Sequence, residues 1–113
     1  MNDDRISRLR AQVGGPRDGA LLRYSLGLAL LESGDAAGAA ATLREALGFD
    51  PGYSAAWKAL GHALLGAGNR VGAADAWRRG MDAAECKGDV QAGKEMRVFL
   101  RRLEKESGTG MPE

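Results

Sequence analysis

The sequence predicts an all-α fold, a superhelix of helix-turn-helix repeats closed at each end by one further helix. Three observations carry this expectation. The chain matches itself at an offset of 34 residues. Apolar residues recur at spacings of three and four within the matching segments, as a buried helical face requires. Gly followed by Asp or Asn falls at fixed places where one helix would stop and the next begin. Of the 22 positions from Leu26 to Leu47, 10 hold the same residue 34 places on, where roughly two are expected by chance. The matches include Leu26/Leu60, Gly27/Gly61, Leu31/Leu65, Gly34/Gly68, Gly38/Gly72 and Arg44/Arg78.

Residues 3–13 open the chain with Ile6, Leu9 and Val13 on one face of a short helix, which stops at Gly14-Gly15-Pro16. Residues 20–53 form the first repeat, with helices at 20–33 and 36–48. Leu26, Ala29 and Leu30 supply its buried face. Ser33-Gly34-Asp35 joins a C-terminal Gly to an Asp able to cap the next helix. Phe49-Asp50-Pro51-Gly52 is a turn that ends the repeat. Residues 54–87 repeat the plan with helices at 54–67 and 70–85, joined at Ala67-Gly68-Asn69. Gly27 and Gly61 fall inside helices at a cost of about 1 kcal/mol relative to Ala, so each is expected to admit a neighbouring helix closely. Residues 89–105 carry Ala92, Met96, Phe99, Leu100 and Leu103 as an amphipathic stripe. Two repeats alone would leave both end faces apolar, so the segments at 3–13 and 89–105 are read as caps. The expectation is one domain over residues 1–106, followed by a disordered tail at 107–113.

Within this pattern the second copy reads Trp57-x2-Leu60-Gly61-x2-Leu64, then Ala73-x3-Trp77. The first reads Arg23-x2-Leu26-Gly27-x2-Leu30, then Ala39-x3-Leu43, closing at Asp50-Pro51. The chain resembles the tetratricopeptide repeat (TPR) family, whose 34-residue unit follows W-x2-L-G-x2-Y, A-x3-F and P. The resemblance covers about residues 20–87. Arg23 departs from it at the first Trp position, Leu30 and Leu64 at the Tyr position, and Glu85 at the closing Pro. Trp57 and Trp77 fall on signature aromatic positions and are expected in the core, whereas Arg23 is expected to snorkel at an edge.

The 113 residues fit one domain with a modest core. Charged residues make up 27% and net charge is +1, with 6 bases and 7 acids before Tyr53 and 10 bases and 8 acids from there on. That tilt is too small for the basic stripe of a nucleic-acid binder. Arg78-Arg79, Arg97 and Arg101-Arg102 are interleaved with Asp75, Asp82, Glu95 and Glu104, which reads as surface ion pairing. No apolar stretch reaches membrane-spanning length, no signal peptide is visible, and the single Cys86 allows no internal disulfide. The expected location is the bacterial cytoplasm. Arg outnumbers Lys 12 to 4 among abundant Ala and Gly, in keeping with a GC-rich bacterial genome.

No enzyme is expected. His62 and Cys86 are the only residues of their types and fall on different elements, leaving neither a metal site nor a nucleophile-base-acid set. The glycines recur with the repeat and form no phosphate-cradling loop. No cofactor is expected.

The resemblance implies a binding role. In TPR proteins the first helix of each repeat lines a concave groove that holds peptides or partner helices. It places Leu21, Tyr24, Leu28, Leu31 and Glu32 there from the first repeat, with Ala55, Lys58, His62, Leu65 and Gly66 from the second. If the last helix follows in a register shifted by one residue, Arg97, Leu100 and Arg101 join them. The expected site is therefore Tyr24, Leu28, Leu31, Lys58, His62, Leu65, Arg97 and Arg101, apolar at one end and cationic at the other. Such a groove suits an amphipathic or acidic segment of a protein partner, not nucleic acid or membrane. Tyr24, Leu28 and Ala59 stand where chaperone-tail receptors of the family carry a carboxylate clamp, which argues against that subtype. The alternative is a structural role by self-association, with Met96, Val98, Phe99 and Leu103 pairing between copies.

Overall fold

The structure is a computed structural model that describes residues 2–108, and the side chains of residues 4–106. Six helices follow in order: α1 Asn2–Ala11, α2 Ala20–Glu32, α3 Ala36–Phe49, α4 Ser54–Gly66, α5 Arg70–Lys87 and α6 Val90–Gly108. No strand occurs among the described residues, so the fold is an all-α helical repeat. Each helix packs chiefly on its neighbours in the chain. Weaker contacts of α2 with α4 and of α4 with α6 place these three in one layer, with α3 and α5 in the other. The result is an elongated body of 53 × 30 × 19 Å.

The turns form for the reasons the sequence gives. Gly34 and Gly68 take φ of 93° and 84°, a left-handed conformation that side chains rarely adopt. Asp35 then accepts the Gly38 N–H at 2.9 Å, and Asn69 accepts the Gly72 N–H at 2.8 Å. Each bond satisfies a donor that the first helical turn leaves orphaned. A Cβ on Gly38 or Gly72 would collide with the capping side chain itself. The two glycines are therefore the caps' clearance, a reason that spacing alone does not disclose.

Close helix approach accounts for two further glycines. A Cβ on Gly27 would lie 2.6 Å from Leu43, and one on Gly61 would run into the Trp77 indole. Leu43 and Trp77 are the matched large residues of α3 and α5, both fully buried, and burial of such side chains contributes about 2–3 kcal/mol each. The Trp77 indole N–H donates to the Lys58 carbonyl at 3.1 Å, so its one polar atom is satisfied inside the core. Gly80 repeats the device between α5 and α6, where an added Cβ would meet the Met96 sulfur.

Several boundaries and placements differ from expectation. The first helix stops at Ala11 rather than 13, because Gln12 and Val13 turn into tighter three-residue bonds before Gly14 goes left-handed at φ 82°. Helix α5 runs on to Lys87, two residues past the expected end. Helix α6 takes in Ser107 and Gly108, expected to open the tail, and 109–113 lie outside the described residues. Trp57 is only half-buried, its N–H donating to the Pro51 carbonyl at 2.8 Å. Arg23 makes more than an edge contact. It holds Asp18 with two bonds of 2.8 Å, reaches Glu45 at 2.7 Å and covers the Phe49 ring at 5.5 Å. That combination of bidentate carboxylate and aromatic face suits a guanidinium and no other side chain.

The largest difference is the register of α6. Tyr53 precedes α4 as its N-cap and Asp89 caps α6 by accepting the Ala92 N–H at 3.2 Å, which sets the two helices 36 residues apart. Buried Ala56 and Leu60 accordingly correspond to Ala92 and Met96. The shift is two residues, not one, because α5 has 18 residues against 14 in α3 while the following turn is shorter by two.

Candidate interaction surface

Helices α2 and α4 present one stripe twice. Tyr24, Leu28 and Leu31 lie four and three residues apart on α2, and Lys58, His62 and Leu65 do the same on α4. The equal spacing keeps each trio on one side of its helix. All six are half-buried: their stems pack on the core while part of each remains open. Leu21, one turn earlier, is 68% exposed.

Contacts between helices tie the stripe together. The rings of Tyr24 and Tyr53 lie 4.9 Å apart, and burial beside Tyr24 pushes the Tyr53 hydroxyl pKa up from its ordinary value. His62 packs edge-on against Phe99 of α6 at 4.5 Å and Trp77 of α5 at 5.2 Å. Burial, and secondly the Lys58 ammonium, push the His62 imidazole below its ordinary pKa and favour the neutral ring. Lys58 donates to Glu95 at 2.6 Å, and this bond, helped by Gln91, lowers the Glu95 pKa.

The cationic end expected of the groove differs in its members. Lys58 spends its charge on Glu95, and Arg97 lies about 200° around α6 from Glu95, two residues at about 100° each. Arg97 instead lines a cavity with Met81, Ala84 and Gly93 between α5 and α6. Arg101, about 40° from Arg97 on the same helix, is likewise exposed. The structure therefore brings together Tyr24, Leu28, Leu31, Lys58, His62 and Leu65 as two matched trios. At the 36-residue offset Lys94, Val98 and Arg101 stand on α6 where Lys58, His62 and Leu65 stand on α4, so Arg101 continues the stripe while Arg97 turns toward α5. Tyr53, Glu95 and Phe99 belong beside the stripe and were missed. A comparison at 36 residues instead of 35 would have aligned Ala92 and Met96 with Ala56 and Leu60 and turned Arg97 outward.

The surface proposed for self-association is largely consumed within the chain. Met96 and Leu103 are buried and Phe99 is held between His62 and Trp77, leaving Val98 at 41% exposure. Among the described residues no group of three His, Cys, Asp or Glu side chains is placed to hold a metal ion. No helix among them is long and apolar enough to cross a membrane.

A stack of helix-turn-helix units, repeated at 34 residues with small residues at each helix crossing, defines a class of repeat scaffold. The chain belongs to the tetratricopeptide repeat family, as its relatives show. The family described as Tetratricopeptide repeat matches residues 30–85. TPR repeat-containing protein PA0015 of Pseudomonas aeruginosa is 50% identical over 100 residues, spanning 88% of this chain and 95% of that protein. The solution structure of protein BPP2914 from Bordetella parapertussis superposes with a TM-score of 0.81 at 46% identity, covering 93% of this chain and 91% of the other. TPR repeats are in general protein–protein interaction modules and non-catalytic scaffolds.

Proposed function

We propose that this chain is a non-enzymatic adaptor that holds a peptide or helix of a partner protein along Tyr24, Leu28, Leu31, Lys58, His62 and Leu65. The observation that carries the reading is the duplication of one half-buried stripe in one register on α2 and α4. A partner helix with apolar residues every three or four positions meets Leu28, Leu31 and Leu65 in turn, as in helix-in-groove recognition. The tyrosine hydroxyls offer hydrogen bonds at one end, and the Lys58–Glu95 pair offers one charge of each sign at the other. The occupant is therefore amphipathic, with its affinity coming from apolar anchors. The sole histidine is engaged in ring packing, and no catalytic role is assigned to it. The module is placed in the bacterial cytoplasm, where the lone thiol of exposed Cys86 stays reduced.

Site-specific photocrosslinking tests the reading. A photoreactive residue at position 28 or 65 should capture a defined partner from bacterial lysate, while the same residue at exposed Val71 of α5 should not. Leu28→Asp with Leu65→Asp should abolish capture while the helical circular-dichroism spectrum persists. Recovery of the same partner by the folded double variant would sink this site.

A further inference from the structure

At the 36-residue offset between Tyr53 and Asp89, helix α6 adds a third line to the stripe of α2 and α4. Lys94, Val98 and Arg101 stand where Lys58, His62 and Leu65 stand on α4, and Arg102 stands where Gly66 stands. All four are exposed. The three lines differ in charge. On α2 the line is Tyr24, Leu28 and Leu31, and Glu32 beyond them is bonded to Arg5 at 3.3 Å. On α4 the one full charge, Lys58, is matched by Glu95 at 2.6 Å. On α6 three cations stand together, and none of them forms an ion pair among the described residues.

Neighbouring acids do not neutralise this third line. Glu95, Glu104 and Glu106 of α6 are drawn off to Lys58, Arg78 and Arg70. Of the three cations only Lys94 also borders the furrow between α5 and α6. There Asp89 is bonded to the Ser54 hydroxyl at 2.7 Å and to the Ala92 N–H at 3.2 Å, and Asp82 and Glu85 share the furrow with Arg97. A helix that only closes the end of a stack needs solubility, which mixed signs supply. Here one sign is gathered in register with the stripe, so α2 forms an apolar wall, α4 a neutral floor and α6 a cationic wall. Packed helix axes stand about 8–10 Å apart, which sets the two walls up to about 20 Å apart across α4. That span matches one helix of about 10–12 Å diameter laid over α4.

We infer that the stripe seats a helix of another protein with two unlike flanks, apolar toward α2 and acidic toward α6. The inference rests on the binding role proposed for the α2–α4 stripe, and adds the occupant's chemistry and the way it faces. Lys94 and Arg101 are seven residues apart, about 10 Å along α6, so acids two turns apart on one flank of the occupant meet both. Turning a helix end for end exchanges its flanks, so the unlike walls also fix its direction. The whole chain carries a net charge of only +1, and its cations therefore act locally, on orientation and register. A uniform polyanion would lay half its charge against Leu28 and Leu31.

Fluorescence anisotropy of the full chain tests this with a labelled designed helix about five turns long. The probe carries a Leu/Ala belly, Leu along one flank and Glu along the other. It should bind, and less tightly as salt is raised, because exposed charges are screened. Lys94→Glu with Arg101→Glu should weaken binding by about tenfold or more, and a probe with its Glu flank changed to Lys should recover it. Reversing Arg8 and Arg10 of α1 to Glu changes net charge equally and should leave binding within about twofold. Lys94→Gln with Arg101→Gln serves if the reversal unfolds the chain. Leu28→Asp with Leu65→Asp tests the stripe itself and should abolish binding. If it does, while the Lys94/Arg101 variants bind like wild type, the acidic flank is overturned and the stripe's role stands. Binding that depends on Lys94 and Arg101 but not on Leu28 and Leu65 puts the probe outside the stripe and overturns both. A wild type that does not bind the probe, or that prefers phosphatidylserine vesicles to it, overturns the inference as well.

Discussion

Gly61 of α4 lies directly against the Trp77 indole of α5, with no room between them for a methyl group. Trp77 is 1% exposed and its N–H is bonded to the Lys58 carbonyl, so it has nowhere to retreat. Gly61→Ala should therefore destabilise by about 1–3 kcal/mol through overpacking, despite the roughly 1 kcal/mol that Ala gains in helix propensity. Gly27→Ala meets only Leu43 at 2.6 Å, a smaller and more adaptable neighbour, and should cost less. Urea denaturation of the two variants gives the order, and an equal or reversed order refutes the packing account.

The caps make a coupled prediction. Asp35→Ala should cost about 1 kcal/mol by removing the bond to the Gly38 N–H. Gly38→Ala should destabilise the wild type, where its Cβ strikes Asp35. In the Asp35→Ala background the same change should stabilise, by up to about 1 kcal/mol. A double-mutant cycle measures this, and strict additivity would show that the cap and the glycine are unrelated.

His62 sets a pH dependence. Its pKa in the fold lies below the ordinary 6.5 because of burial and then Lys58. The unfolded chain thus binds a proton more readily than the folded one. Stability is full above the ordinary value, falls as pH drops through it, and levels off below the folded value. The melting temperature should decline as pH falls from about 7.5 through the ordinary imidazole value. His62→Leu, which installs the residue found at position 28 of the first repeat, should flatten this part of the curve. An unchanged slope in the variant would remove His62 as the cause.

Asp18 acts in the opposite range. Two bonds from Arg23 and one from the Gly14 N–H hold its carboxylate well below the usual pKa. Its contribution is present above the ordinary value of 3.8 and is lost as pH falls toward the folded value. Asp18→Asn should melt below wild type at neutral pH, with the gap closing from about pH 4 downward. A gap independent of pH would mean that the amide perturbs the turn by shape instead of charge.

Much of the fold was legible because it is written twice. Leu26/Leu60, Gly27/Gly61 and the Asp35/Asn69 caps each report a local requirement, and two copies at one spacing leave little choice of architecture. The TPR resemblance then located the stripe on α2 and α4, which the sequence alone would not single out. What escaped was whatever occurs once. The register of α6 depends on the combined length of α5 and its following turn, for which the chain holds no second example. The misplacing of Arg97 followed from that, and Lys58 meets Glu95 across two helices 37 residues apart, a pairing no local spacing discloses. Arg23 was misjudged for a similar reason, since Asp18 and Glu45 come from different segments.

The two extra residues between the caps of α5 and α6 have a consequence for growth by duplication. A stack of equal steps lengthens whenever one step is copied, because every copy hands on the phase it received. Between Asn69 and Asp89 the step is 20 residues, where between Asp35 and Tyr53 it is 18. A 34-residue copy opening at Asp89 still falls in phase, since α6 seats Ala92 and Met96 where Ala56 and Leu60 sit in α4. The longer step is taken up inside α5 and its turn, so steps of unequal length can share one stack provided that their caps fall at equivalent places.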